Sequence, residues 1–169
     1  MLFLFYYAKT NSLIRIKNYF IEFFELNPIR KTKEIGIYGK YGLTKTAFCL
    51  TNEGYLYIGV LNIKRNYNYI EKVNVETKCH ETEYRNIHFL NHRSNPKAGT
   101  ISICDHDINT ILVLTKKKTI VLIDKQTLIV KRNYVIKKCP DYFRQMYKVN
   151  SNQYLSLKTN GEINIWSNL

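Results

Sequence analysis

Tyr154-Leu-Ser-Leu-Lys-Thr-Asn-Gly-Glu-Ile-Asn-Ile-Trp166-Ser-Asn-Leu169 reads as two short strands, Tyr154–Leu157 and Glu162–Trp166, joined by a Thr-Asn-Gly turn. Asn160-Gly161 is a hairpin signal, because a tight primed turn needs positive φ and Gly and Asn adopt it at least cost. In the second strand Ile163 and Ile165 share one face while Asn164 and Trp166 share the other. The same pattern recurs upstream. Ala47–Gly59 places Gly54 at the turn, and Ile111–Asp124 repeats the hairpin with Lys116, Lys117 and Lys118 at its tip. Leu13–Glu25 is a degenerate first copy. Between the positions matching Trp166, namely Phe24, Gly59 and Ile123, the intervals are 35, 64 and 43 residues. Units of about 40–45 residues built from short strands mark a propeller. The long middle interval calls for an insertion.

These residues resemble the WD40 repeat family, whose units end in a strand of the form Ile-x-Ile-Trp-Asp. Ile163-Asn-Ile-Trp166-Ser167 and Ile120-Val-Leu-Ile123-Asp124 each keep part of that ending. The resemblance extends over nearly the whole chain. It implies an all-β, propeller-like array of about four antiparallel blades, open or incomplete. The units fall at 1–38, 39–76, 99–138 and 139–169, with an insertion at 77–98. The family's buried His–Ser–Asp–Trp hydrogen-bond network is not carried over, because one Trp survives and no Gly-His pair opens any unit.

The chain of 169 residues is long enough for one domain with a real core. Hydrophobic residues make up 45% and aromatic residues 14%, which excludes wholesale disorder. Its abundant Ile, Val, Tyr and Phe suit half-buried pleated surfaces. In chain order, strands are expected at Leu2–Tyr7, Leu13–Ile16, Ile21–Leu26 and Ile29–Tyr38, then across Thr46–Leu61 and Tyr67–Val75. Thr100–Cys104, Thr110–Leu114, Thr119–Ile123 and Leu128–Val135 complete a third blade, and Gln145–Val149 begins the fourth. Only Ser167, Asn168 and Leu169 follow Trp166, so the fourth unit lacks an outer strand. Its edge is a template for another chain. Trp166 is expected to be buried, on an inner strand.

Net charge is +13 with a pI near 9.6. Such a balance points to nucleic acid, a membrane surface or acidic proteins, although the joint abundance of Ile, Lys, Asn and Tyr is also what an AT-rich coding sequence produces. The charge concentrates between 116 and 138, where eight basic residues stand against Asp124 alone. Lys116, Lys117, Lys118, Lys131, Arg132, Lys137 and Lys138 are therefore the candidate binding residues, for an acidic protein or an RNA backbone.

No enzyme constellation emerges. Gly36-x-x-Gly39-x-x-Gly42 lacks the spacing and the helix of a dinucleotide loop. His88-x-x-x-His92 and Cys104-x-His106 have spacings zinc accepts, but no Cys-x-x-Cys anchors them. Cys104-Asp105-His106-Asp107 invites a nucleophile–base reading, yet neighbouring residues on a strand point in different directions. No cofactor, metal, small-molecule substrate or membrane contact is expected. Cys49, Cys79, Cys104 and Cys139 lie far apart, and Met1–Tyr7 is too short and lacks the flanks of a signal peptide. Both features favour a reducing cytoplasmic or nuclear compartment. The leading expectation is a non-catalytic scaffold for protein–protein interaction within a larger complex, with self-association through the open edge among its contacts. The alternative is an RNA- or ribosome-associated protein using the 116–138 face.

Overall fold

In the computed structural model, residues 2–17, 20–37, 43–62, 67–83, 100–115, 119–136 and 143–167 are described. Among the described residues fifteen strands form four antiparallel sheets, each a meander of strands adjacent in sequence. The first comprises β1 (Leu2–Tyr7), β2 (Ser12–Lys17), β3 (Phe20–Leu26) and β4 (Ile29–Gly36). The second holds β5 (Leu43–Leu50), β6 (Tyr55–Asn62), β7 (Tyr67–Asn74) and β8 (Cys79–Glu83). β9 (Thr100–Asp105), β10 (Thr110–Thr115), β11 (Thr119–Asp124) and β12 (Val130–Val135) make the third. β13 (Phe143–Lys148), β14 (Gln153–Lys158) and β15 (Ile163–Ser167) make a three-stranded fourth.

The sheets pack face to face in sequence order, and period-2 alternation explains how. In β10 every residue is buried. Ile111 and Val113 enter a cluster shared with Ala47, Tyr57 and Ile70 of the second sheet. Leu112 and Leu114 enter another with Phe143, Met146 and Tyr154 of the fourth. A third cluster joins Ile14, Ile16, Ile21 and Phe23 to Leu56, Ile58 and Val73. Each such aliphatic side chain contributes roughly 1.5–3 kcal/mol by leaving water. Among the described residues no hydrophobic cluster joins the fourth sheet to the first, and the array is open.

Three local expectations change. The 77–98 insertion already contains β8 at its start, paired with β7 through Asn74–Cys79 and Glu71–Glu83, so the second sheet runs to Glu83 and β7 is not its outer strand. The Asn160-Gly161 turn is not a primed turn. Only its glycine takes positive φ, at 88°, Gly161 N–H donates to Lys158 O, and Lys158 N–H donates to Glu162 O. That is a type I turn closed by a glycine bulge. Gly54 (φ 86°) follows the same scheme, donating to Thr51 O while Thr51 N–H donates to Tyr55 O. The expected Lys116–Lys118 turn lies outside the described residues.

The third change concerns register. Phe24, Ile123 and Trp166 stand on the third strands β3, β11 and β15, whereas Gly59 stands on β6, the second strand of its sheet. Pairing opposite the second residue of the second strand picks out Phe24, Val73, Ile123 and Trp166 as equivalent. The intervals then become 49, 50 and 43 residues, and the spacing no longer calls for a long insertion in the middle. Trp166 is half-buried rather than buried, because β15 is the edge of its sheet and is covered on one side only.

Candidate functional site

In a four-stranded meander the turns between strands one and two and between strands three and four emerge at the same end. Charged side chains brace those turns between neighbouring sheets. Lys9, from the 3-10 turn Ala8–Thr10 after β1, places Nζ 2.6 Å from Glu76 Oε1 in the turn after β7, and Tyr7 donates its hydroxyl to the same oxygen at 3.1 Å. Bonds from Lys9 and Tyr7 hold the Glu76 carboxyl below its ordinary range. At the next junction Lys125 of the turn after β11 lies 2.7 Å from Asp105 and 3.0 Å from Glu53 of the second sheet. Burial pushes the Lys125 ammonium towards neutrality, but the two carboxylates outweigh it and raise its pKa. Tyr57, whose hydroxyl donates to Lys125 O at 3.3 Å, seals this bridge from below.

The turns themselves are capped by short acceptors. Asp124 Oδ1 accepts from Gln126 and Thr127 N–H at 3.0 and 2.8 Å, and its other oxygen meets Lys131 Nζ at 3.0 Å. The Thr127 amide and Lys131 hold the Asp124 carboxyl down to about 2. Asn74 does the same work in the second sheet, accepting from Glu76 and Thr77 N–H at 2.9 and 3.0 Å. Sequence reading missed Asn74 because it used Gly59 as the anchor. Val73-Asn74 occupies the place of Ile123-Asp124, and an Asx residue two and three positions before the amides it caps was the available signal.

The Cys104–Asp107 run does not assemble a reactive centre. Cys104 is buried and donates its thiol to Met146 O at 2.9 Å, and burial pushes its pKa up to about 11. Asp105 is taken by Lys125. Asp107 accepts from Asn109 and Thr110 N–H, both at 2.7 Å. The His106 ring bonds the Tyr154 hydroxyl of the fourth sheet, and burial lowers its pKa. Lys148 Nζ donates to His106 O, so this run ties the third sheet to the fourth. His88 and His92 lie outside the described residues. Among the described residues no three His, Cys, Asp or Glu are gathered to hold a metal ion, and no helix is long and apolar enough to cross a membrane.

Of the candidate basic residues, Lys131 and Arg132 lie side by side on β12, the exposed outer strand of the third sheet. Lys131 is paired with Asp124. Arg132 donates to the Tyr134 hydroxyl at 3.1 Å and sits 5.9 Å from that ring's centre. Lys116, Lys117, Lys118, Lys137 and Lys138 lie outside the described residues. Lys125, counted with the basic run, is a buried bridge and adds no surface charge. A second basic outer strand escaped notice: β4 carries Arg30, Lys31 and Lys33, with Arg30 on Glu25 and Lys31 on Glu34.

At the fourth sheet Trp166 Nε1 donates to Ser156 Oγ at 2.7 Å, and the indole meets Phe143 edge-on with centres 6.0 Å apart. One side-chain hydrogen bond thus ties β14 to β15.

No family model matches the sequence and no curated protein matches it. Solved structures match the fold. Raptor from Chaetomium thermophilum is similar with a TM-score of 0.69 at 11% identity, over 98% of this chain and 15% of that one. BamB from Moraxella catarrhalis gives 0.67 at 10% identity, over 98% of this chain and 45% of that one. The RRP9 WD40 repeats give 0.70 at 10% identity, over 96% and 46%. The fold is that of a divergent WD40-like propeller array, and the chain spans less than half the length of each of these neighbours.

Proposed function

We propose that the protein is a non-catalytic scaffold that presents its braced turns to protein partners within a larger complex. One observation carries this reading: at one end of the array, turns from successive sheets are linked to each other by the exposed Lys9–Glu76 pair and the part-buried Lys125–Glu53 pair. Rigid strands holding many short turns on one surface make a recognition face without reactive groups. The groups that chemistry would need are occupied, Cys104 by Met146 O, Asp105 by Lys125 and His106 by Tyr154. A reducing cytoplasmic or nuclear setting fits the free Cys49, Cys79 and Cys104. The RNA reading draws less support, because Lys131 and Arg132 are both engaged within their own sheet.

Cross-linking mass spectrometry on native, ribonuclease-treated complexes tests the proposal. Cross-links to a protein partner are expected from Lys9 and from Lys78, which lies in the same turn as Glu76. Loss of all partners on ribonuclease treatment, with binding that falls steeply as salt rises, is the result expected of phosphate contacts and would favour the RNA reading instead.

A further inference from the structure

Among the described residues each end sheet leaves one face without a neighbour: that of the fourth sheet is apolar, and that of the first carries Leu4, Tyr6 and Phe20 around the Arg15–Glu22 ion pair. In the first sheet Ile14, Ile16 and Ile21 enter the junction with the second. Alternation sends Leu4, Tyr6 and Phe20 to the opposite side, where they are 56%, 57% and 46% exposed. In the fourth sheet Phe143, Met146 and Tyr154 face the third. Tyr147, Ile163 and Ile165 lie on the outer face, 50%, 62% and 70% exposed. Register sets Tyr147, Leu155 and Ile165 in one row across that sheet. Among the described residues the internal sheets show no such face, since β6 and β10 each divide their apolar residues between two neighbours.

We propose that two copies of this chain close head to tail into a two-fold symmetric ring, the fourth sheet of each packing on the first sheet of the other. Three observations select a second copy as the occupant. The two free faces differ and lie at opposite ends of the array, so a two-fold arrangement uses each once and leaves neither exposed. The chain matches 45% and 46% of two longer propeller-like neighbours along nearly all of its own length, so two copies supply about nine-tenths of such a molecule. The six exposed side chains, aromatics carrying ~150–250 Å² each when fully exposed, amount to on the order of 700 Å² per junction. Two junctions then reach ~1,400 Å², within the range of stable specific interfaces.

Sedimentation equilibrium and light scattering on the full 169-residue chain test the proposal, with far-ultraviolet dichroism confirming that each variant keeps its strands. The wild-type chain is expected at twice its 20.1 kDa mass. Leu4→Lys and Ile165→Glu are each expected to run as monomers, because either one spoils both junctions. Mixing the two variants restores a dimer only at higher protein concentration than the wild type needs, since one junction of the mixed ring is intact and the other carries both substitutions. A wild-type monomer at every concentration would overturn a second copy as the occupant and leave further blades or another protein to cover these faces. A dimer indifferent to Leu4→Lys would overturn the head-to-tail arrangement.

Discussion

Lys125 of the third sheet reaches across a sheet junction to Glu53 of the second, with Nζ 3.0 Å from Oε1, while its own sheet's Asp105 holds it at 2.7 Å. One ammonium thereby bridges two carboxylates from neighbouring sheets and screens them from each other. Removing it leaves both without their cation, and Lys125→Met is expected to cost roughly 2–3 kcal/mol, below the value for a wholly buried pair because Glu53 is partly solvated. A double-mutant cycle with Glu53→Gln in urea denaturation measures the link directly. Coupling below ~0.3 kcal/mol would mean that the two sites behave as independent and that the bridge does not hold the junction.

Gly54 and Gly161 close similar turns but should differ on substitution. Both have positive φ, so alanine at either is expected to cost ~1–2 kcal/mol. A Cβ on Gly54 would in addition stand 2.6 Å from the Tyr7 hydroxyl, whereas nothing lies within 4 Å of one on Gly161. Gly54→Ala should therefore be the worse by ~1 kcal/mol or more, the range of overpacking. Equal midpoints in thermal melts of the two variants would refute the close approach of the first two sheets at this point.

Asp124 makes part of the stability pH-dependent. Its folded carboxyl is held at about 2, against an ordinary 3.8, by turn amides and Lys131. A depressed carboxylate stabilises the fold fully above its unfolded pKa, and the contribution is lost as pH falls through the folded value. Wild type should exceed Asp124→Asn in stability at neutral pH, and the gap should close between about pH 4 and pH 2. A gap that persists at the acid end, read from chemical denaturation across that range, would assign the difference to packing rather than to charge.

Cysteine labelling should follow burial. Burial pushes the Cys49 thiol up to about 12 and Cys104 up to about 11, and only the thiolate reacts. Cys79 is exposed. Iodoacetamide followed by peptide mapping should modify Cys79 in the native protein, with Cys49 and Cys104 modified after denaturation. Rapid native labelling of Cys104 would mean that the junction with the fourth sheet opens.

The indole of Trp166 tests the edge sheet. Ser156→Ala removes its hydrogen-bond acceptor and is expected to cost about 1 kcal/mol. Trp166→Ala should cost ~2 kcal/mol, less than the 3–5 typical of a fully buried aromatic. Intrinsic fluorescence provides the readout for Ser156→Ala, since the chain has a single tryptophan. An unchanged emission maximum in that variant would argue against the bond.

Strand content was legible because apolar residues recur with period two between turn residues, and the hairpins β2–β3, β10–β11 and β14–β15 were matched correctly. The second hairpin was not. Thr51–Gly54 and Lys158–Gly161 share one turn chemistry, a glycine bulge after a type I turn, yet one joins strands one and two of its sheet and the other joins strands two and three. Local sequence identifies such a turn but carries no sign of its rank in the sheet. Lys125 belongs to a basic run in sequence, and only the approach of Glu53, 72 residues away, turns it into a buried bridge. Of the outer strands, β4 lies where the sequence placed it, whereas β8 was missed because its short polar run Cys79–Glu83 carries no apolar alternation.

The three apolar clusters also set how freely the sequence can drift. A residue on β10 answers to one neighbouring sheet or the other whichever way it points, so no position on that strand is neutral. Ile111 and Val113 answer to the second sheet, Leu112 and Leu114 to the fourth. A one-residue slip of β10 would misfit both at once. On β2 only alternate positions carry such an obligation: Ile14 and Ile16 do, while Leu13, Arg15 and Lys17 face away from the junction. Within a single chain, tolerance to substitution therefore rises from the central sheets towards the two ends.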